Sequence, residues 1–595
     1  MEICHLLASL FLLNLIRSVA KQLVLCLLLV FVMTAQAQQD IRITVQLDGA
    51  PQGQMDALLS GLSIVRQQSS PRLTQRQVEK LNQQALTELS QMLTVFGYYN
   101  PIINSDLKKM DAGWQAHYQI TLGPQVRLKA VNVTLLGEAN DDPKFQALLA
   151  DFPLKKAEAL DHQDYEAAKK ILTRLAADRG YFDGKMTQNT IEVNTEENTA
   201  TITLEYNSYQ RYRFDDVQFP DTTVSEDVLQ RVNPIGSDSP FLVSKIVSLR
   251  NNLINSGYFD VATVTPLIEQ RHDGKVKLDI ALTSVAKHRY SAGLGFGTDS
   301  GARGSLGWEN RYINKRGHRL SADAKLSQVK NSLAMAYKMP FWSPTISEVG
   351  FNTELKQSNT DTSDSQSLAI GSYYQSIRWG WKETASLKLL HENFDVSQDD
   401  NTSTLLIPSI GWSRTWADNT IYTKQGGRLS LSISAASESL LSDTSFIQAV
   451  LRGKYIQSLS ENGRVITRAT LGASDVTDFN QLPSSLRFFA GGDSSIRGFD
   501  FEALGPKGND GEVEGGRYLA VGSVEYEQMF WGNWGGAVFT DFGNAMNSWR
   551  DPIEYSVGFG VRWRSPIGLI RVDIAQGMSE PDKPIGFHIV IGPDL

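Results

Sequence analysis

The sequence predicts three small α+β modules, each of β-α-α-β-β type, followed by a transmembrane antiparallel β-barrel of about 16 strands. Three observations carry that reading. The triplets Gly97-Tyr98-Tyr99, Gly180-Tyr181-Phe182 and Gly257-Tyr258-Phe259 recur at intervals of about 80 residues, each closing a helical pattern. From about residue 287 the apolar period changes from that of a helix to two, and it stays there to the end. Mean hydropathy is −0.24 with 41% hydrophobic residues, 47 Gly, 25 Phe, 19 Tyr and 11 Trp, a mixture that suits a large β-protein with alternating faces and excludes a bundle of membrane helices.

Residues 1–37 read as a signal peptide. Arg17 and Lys21 precede the apolar run Leu23–Met33, and Ala35-Gln36-Ala37 supplies a small-x-small cleavage site. At about 1.5 Å per residue that run falls well short of a hydrocarbon core of about 30 Å, so it is not expected to anchor the chain. A further apolar stretch, Leu6–Ile16, makes the leader unusually long and leaves the start codon open. The two cysteines, Cys4 and Cys26, both fall in this leader, so no disulfide, Cys-ligated metal or Cys nucleophile is expected. The eight histidines show no helical metal-ligand spacing, and no metal or cofactor is expected. With 57 Lys+Arg against 65 Asp+Glu, the net charge of −8 lacks the basic footprint of a nucleic-acid binder. No GxSxG, HExxH or P-loop pattern appears, so no enzyme is expected.

The modules divide the chain at residues 38–123, 124–208 and 209–286. The main helices are predicted over Gln75–Phe96, Tyr165–Arg179 and Val243–Ser256, each followed by the triplet Gly in a left-handed cap position. Ahead of each helix lies an alternating strand: Ile41, Ile43, Val45, Leu47, then Val126, Leu128, Val131, Val133, then Tyr212, Phe214, Val217, Phe219. The last strand of each module reads Tyr118, Ile120, Leu122, then Ile202, Leu204, Tyr206, then Val276, Leu278, Ile280, Leu282. This β-α-α-β-β pattern with its GY[YF] turn resembles the POTRA domains, periplasmic modules that precede the barrels of the BamA/TamA superfamily.

Residues 287–595 form the predicted barrel. Tyr290, Ala292, Leu294 and Phe296 alternate with small or polar residues, as do Val557, Phe559, Val561 and Trp563, then Ile570, Val572 and Ile574, then Phe587, Ile589 and Ile591. Arg562, Arg564, Arg571 and Asp573 crowd the opposite face of successive strands, which suits a polar lumen with lipid outside. Closure is required because lipid cannot satisfy an open sheet edge. Ser358–Ser367 and Ser397–Thr404 read as extracellular loops, and Met339-Pro340-Phe341-Trp342 as a periplasmic turn.

Within Gly491–Phe499, the residues Ile496, Arg497, Gly498 and Phe499 match the [VI]RG[FY] motif of the same superfamily, and Phe539-Thr540-Asp541-Phe542-Gly543 resembles its FxDxG strand. The resemblance implies that this motif sits on a long extracellular loop folded back into the barrel and that Asp541 points inward. The alternation of Tyr518, Ala520, Val524 and Tyr526 separately puts Glu525 on the lumen side. A guanidinium in a partly dry lumen needs carboxylates, so Arg497 with Asp541, and secondarily Glu525, is the expected latch. The resemblance also implies a weak seam between first and last strands that opens sideways. Gly293, Gly295 and Gly297 on one side and Gly586 and Gly592 on the other offer a physical reason, since glycines weaken strand pairing.

Three modules make the TamA family the nearest likeness. That family works in the bacterial outer membrane, with POTRA domains in the periplasm, alongside TamB, an inner-membrane-anchored, periplasm-spanning partner. The implied function is insertion or secretion of autotransporters and other β-barrel clients, with unfolded outer-membrane proteins and the lipid bilayer as partners. The alternative is a substrate-dedicated or passive pore of the two-partner secretion type. Those resemble this barrel and motif but carry two POTRA domains and an N-terminal plug helix.

Overall fold

The computed structural model describes residues 42–595 except 69, 71, 72, 112, 344, 397, 398, 509, 510, 566 and 567. Residues 1–41, with the segment expected to be a signal peptide, lie outside the described residues. The described chain forms two compact units, one running to Arg213 and including Pro240–Leu242, the other made of Phe214–Ser239 and Val243–Leu595.

The first unit holds two modules built alike. In the first, Thr74 caps the helix Gln75–Val95 in a reciprocal capping box with Gln77, and Val78, Leu81, Ala85, Leu89 and Leu93 put one apolar stripe into the core. The helix ends because Gly97 takes φ +81, letting Tyr98 N–H reach back to the Leu93 carbonyl at 3.0 Å and Gly97 N–H to Thr94 at 3.0 Å. Gly180 does the same at φ +86, with Tyr181 N–H donating to Ala176 O at 2.9 Å. Each helix packs on a three-stranded sheet whose middle strand is the last in sequence: Gly113–Thr121 lies parallel to Arg42–Asp48, and Thr199–Asn207 parallel to Arg127–Leu136. Ala116, Tyr118 and Ile120, then Ile202, Leu204 and Tyr206, supply the buried face.

The third module, in the second unit, keeps the helix Val243–Asn255, the left-handed Gly257 at φ +75 and an antiparallel pair, Phe259–Pro266 with Leu278–Ser284. Its predicted opening strand shrinks to Arg213–Phe214, so Val217 and Phe219 stand outside any strand. The cause is local. Asp215 takes the Asp216 N–H on its own side chain at 2.9 Å, and Pro220 after Phe219 has no N–H for a ladder. Tyr258 is fully buried, and its hydroxyl donates to Gly317 O at 2.7 Å in the turn after the second barrel strand. Arg319 stacks over the same ring at 4.9 Å.

The barrel is closed, with sixteen strands in sequential order from His288–Gly297 to Ile585–Gly592. Its outer surface carries exposed Leu306, Leu326, Phe351, Leu355, Phe559 and Val561, as a lipid-facing band requires. At the rim where the first strand starts, Trp342, Trp379, Trp531 and Trp534 stand outward as an aromatic girdle. Two predicted loops are largely strand. Ser347–Asn359 and Asp364–Arg378 pair to the end at Asn359 opposite Asp364, and Trp381–Val396 pairs with Asp399–Ala417. The Ser, Thr, Asn and Asp content that signals a loop belongs here to the paired ends of long strands, on which Ser358 and Ser403 are buried. Residues 397 and 398 of the second loop lie outside the described residues.

The seam departs from the rest of the ring. The first strand pairs with the second along its whole length, yet it meets the last at one register position, Gly297 opposite Val590. Tyr290 is 76% and Leu294 96% exposed. Of the five glycines expected to form the seam, only Gly297 lies in the shared ladder; Gly592 pairs with Leu569 on the fifteenth strand, and Gly293 with Ser305 on the second.

Candidate functional site

The eleventh strand, Gly463–Val476, and the twelfth, Tyr518–Trp531, are joined by a long connection whose stretch from Phe488 to Leu504 folds back into the lumen. Ile496 and Phe499 bury themselves there with Phe488, Leu504, Leu519 and Ala545. Between those two apolar anchors Gly498 adopts φ +94 against the backbone of Ala575 and Gln576 on the fifteenth strand, a place where a Cβ would meet atoms at 3.0–3.2 Å.

Held in that way, Arg497 is 4% exposed and faces three carboxylates. Its Nε and Nη2 donate to the two Asp541 oxygens at 2.8 and 3.0 Å, a bidentate pair, and its backbone N–H adds a third bond to Asp541 at 3.0 Å. Nη1 donates to Glu525 at 2.8 Å and to Asp573 at 3.0 Å. The Ser523 hydroxyl donates to Asp541 at 2.5 Å, and the Phe539 ring lies under the guanidinium at 3.3 Å. The strands that carry these groups are the twelfth, the thirteenth (Trp534–Met546) and the fifteenth (Gly568–Gly577). The structure thus brings together all of Arg497, Asp541 and Glu525, and it adds Asp573.

The charges continue in alternation. Arg562, fully buried, donates to Glu525 at 2.7 Å, to Glu527 at 2.8 Å and to Asp573. Arg464 donates to Glu527 at 2.6 Å and to Asp594 at 2.6 Å, and Arg571 donates to Asp594 as well. Thr423 N–H donates to the Asp594 carboxylate at 2.8 Å, so the chain after the last strand turns into the lumen. Each buried charge in this row has opposite neighbours, the condition under which such burial is tolerated. The network beyond Asp541 and Glu525 escapes sequence reasoning because Arg562, Asp573 and Glu527 become neighbours only through sheet register; their shared polar face is the one signal visible in advance.

The same loop touches the seam. Gly498 N–H donates to His588 Nε2 at 2.9 Å, and His588 Nδ1 lies 2.6 Å from Asp493 Oδ1. Thr298 and Asp299, just after the first strand, meet Asp493 at 2.8 and 2.5 Å. A Cβ at Gly586 would come within 2.9 Å of Gly498 Cα, and one at Gly297 within 3.3 Å of Asp493. Gly586 is therefore needed for close approach of the loop backbone, and a side chain at Gly297 would crowd Asp493, a different reason from the weak pairing expected of them.

Against known proteins, residues 286–594, just over half the chain, match the model described as the Omp85 superfamily domain. Residues 44–122 match the model for POTRA domain TamA domain 1, and residues 128–208 a POTRA model described as surface antigen variable number repeat. The outer membrane protein assembly factor BamA of Nitratidesulfovibrio vulgaris is 22% identical over 68% of this chain and 53% of its own length. BamA of Neorickettsia risticii is 20% identical over 65% and 56%. The chain spans about half the length of these curated relatives. The crystal structure of BamA from Haemophilus ducreyi lacking POTRA domains 1–3 shares the fold, with a TM-score of 0.55 at 13% identity over 93% of this chain and 99% of that one.

Proposed function

Because the chain belongs to the Omp85 superfamily, with its barrel in the outer membrane and its POTRA domains in the periplasm, we propose that it is the outer-membrane component of a translocation and assembly module. In this reading it inserts or secretes autotransporters and other β-barrel clients through a lateral opening between the first and last barrel strands. The observation that carries the reading is the seam, where two neighbouring strands share a single register position while every other junction among the described residues pairs over seven positions or more. A client strand can add to the unpaired edge from His288 to Phe296 with backbone hydrogen bonds and no nucleotide hydrolysis. Two features support the narrower assignment: the match of the first module to a TamA-type POTRA domain, and three modules ahead of the barrel. A TamB-like, inner-membrane-anchored partner on the periplasmic modules belongs to this proposal.

The test is a reversible lock. No cysteine follows residue 37, so Phe296→Cys with Ile591→Cys, flanking the Gly297–Val590 pair, has no competing partner in the processed chain. Oxidation is expected to stop assembly of an autotransporter client and reduction to restore it. Full client assembly by a demonstrably crosslinked barrel would refute the lateral opening.

A further inference from the structure

The Arg497 cluster reaches the twelfth, thirteenth and fifteenth strands but neither strand of the seam. A second cluster does reach both. Gly498 N–H can only donate, so His588 Nε2 accepts, and the ring proton sits on Nδ1, from which it is donated to Asp493 Oδ1 at 2.6 Å. The same carboxylate oxygen accepts the Thr298 hydroxyl at 2.8 Å, and Thr298 Oγ1 accepts the Ile589 N–H of the last strand at 3.3 Å. Asp493 N–H donates to Asp299 at 2.5 Å. The side chains of His588 and Asp493 are 5% and 12% exposed. Asp299, Asp493 and His588 also bring three donor atoms within 4.8 Å of one another, the size of a metal site. Both imidazole nitrogens are already engaged, however, and a cage would have to break the Gly498 or the Asp493 bond.

We propose that Asp493 and His588 are positioning residues that clasp the folded-in loop to both seam strands, so that the outer end of the seam closes only while the loop is seated. The inference rests on the lateral-gate reading and names its regulation. With one ladder position between the strands, the clasp adds two hydrogen bonds through Asp493 to the direct contacts that hold them together. The glycines at 297 and 586 leave room for it on either side. Unseating the loop withdraws Asp493 from Thr298 and His588 together, and among the described residues the two strands then share the Gly297–Val590 position and the Thr298–Ile589 bond.

The test measures the seam itself, in outer-membrane vesicles without added client. In the Phe296→Cys, Ile591→Cys chain, the rate of disulfide formation under a fixed oxidant is compared with and without Asp493→Ala or His588→Phe. Each variant is expected to slow crosslinking by about threefold to tenfold, the effect of losing a hydrogen bond of ordinary net strength. Asp493→Asn, whose side-chain oxygen still accepts from His588 and Thr298, is expected to stay within about twofold of the parent. Unchanged heat-modifiable mobility on gels establishes that each variant is folded. If Asp493→Ala does not fold, Thr298→Val removes the hydroxyl bridge alone and is expected to slow crosslinking. Folded Asp493→Ala or His588→Phe, or Thr298→Val in its place, crosslinking at the parental rate would overturn the clasp. A locked seam that still assembles client would refute the gate and leave this comparison of rates standing.

Discussion

Arg497 shows how much one residue type decides. A lysine has one point charge and cannot give two parallel bonds to Asp541 while also reaching Glu525 and Asp573. Arg497→Ala strands three carboxylates in a site where removing one partner of a buried ion pair costs roughly 3–5 kcal/mol. Arg497→Ala and Arg497→Lys are therefore both expected to leave barrel yield nearly intact but to loosen residues 477–517, read as faster protease cleavage of that loop on intact cells. A double-mutant cycle with Asp541→Asn should show coupling of about 1 kcal/mol or more; additive effects would remove the pair from the mechanism. The Arg497–Asp541 pair was legible in the sequence because the motif and the FxDxG strand each mark one partner. Asp573 was legible only as one of the polar residues on the lumen face and His588 only as a lone imidazole, and register is what puts both against the loop.

Helices and their caps were the most legible elements. The three main helices end within a residue or two of where the triplet glycines place them, because a left-handed Gly and the bonds around it are local chemistry. The tyrosines after those glycines serve three separate ends that no spacing distinguishes: Tyr98 stays half-buried, Tyr181 donates to Asp142 at 3.1 Å, and Tyr258 bonds to a barrel turn. Asp142 also caps the helix Pro143–Ala150 through Lys144 N–H at 3.0 Å and accepts from Arg179 at 2.7 Å. Burial alone would raise its pKa, but the bonds from Arg179, Lys144 and Tyr181 outweigh burial and hold the carboxyl below its usual range. Because the folded pKa is depressed, the stabilisation is present above the unfolded value near 4 and is lost as pH falls through the folded value. Asp142→Asn is thus expected to speed hydrogen exchange across residues 138–182 at pH 7, with the difference from the parent closing below about pH 4. A difference that persists undiminished at pH 3 would assign the effect to the cap rather than to the charge.

At the scale of the whole molecule, the strand number was legible because sixteen alternating segments fill the length after residue 287, and the ring must close in lipid. What alternation could not give is where the ring is weak, since a strand that lacks a neighbour has the same sequence period as one that has it. The closed ladder predicts heat-modifiable migration: the unheated protein should run faster in SDS than the boiled one, and identical mobility would contradict a closed barrel. The third module contributes a mechanical property. Tyr258 and Arg319 join its helix end to the turn that begins the third barrel strand through one hydrogen bond and one stacked guanidinium. A displacement of that helix end is therefore shared with a hairpin one strand removed from the seam.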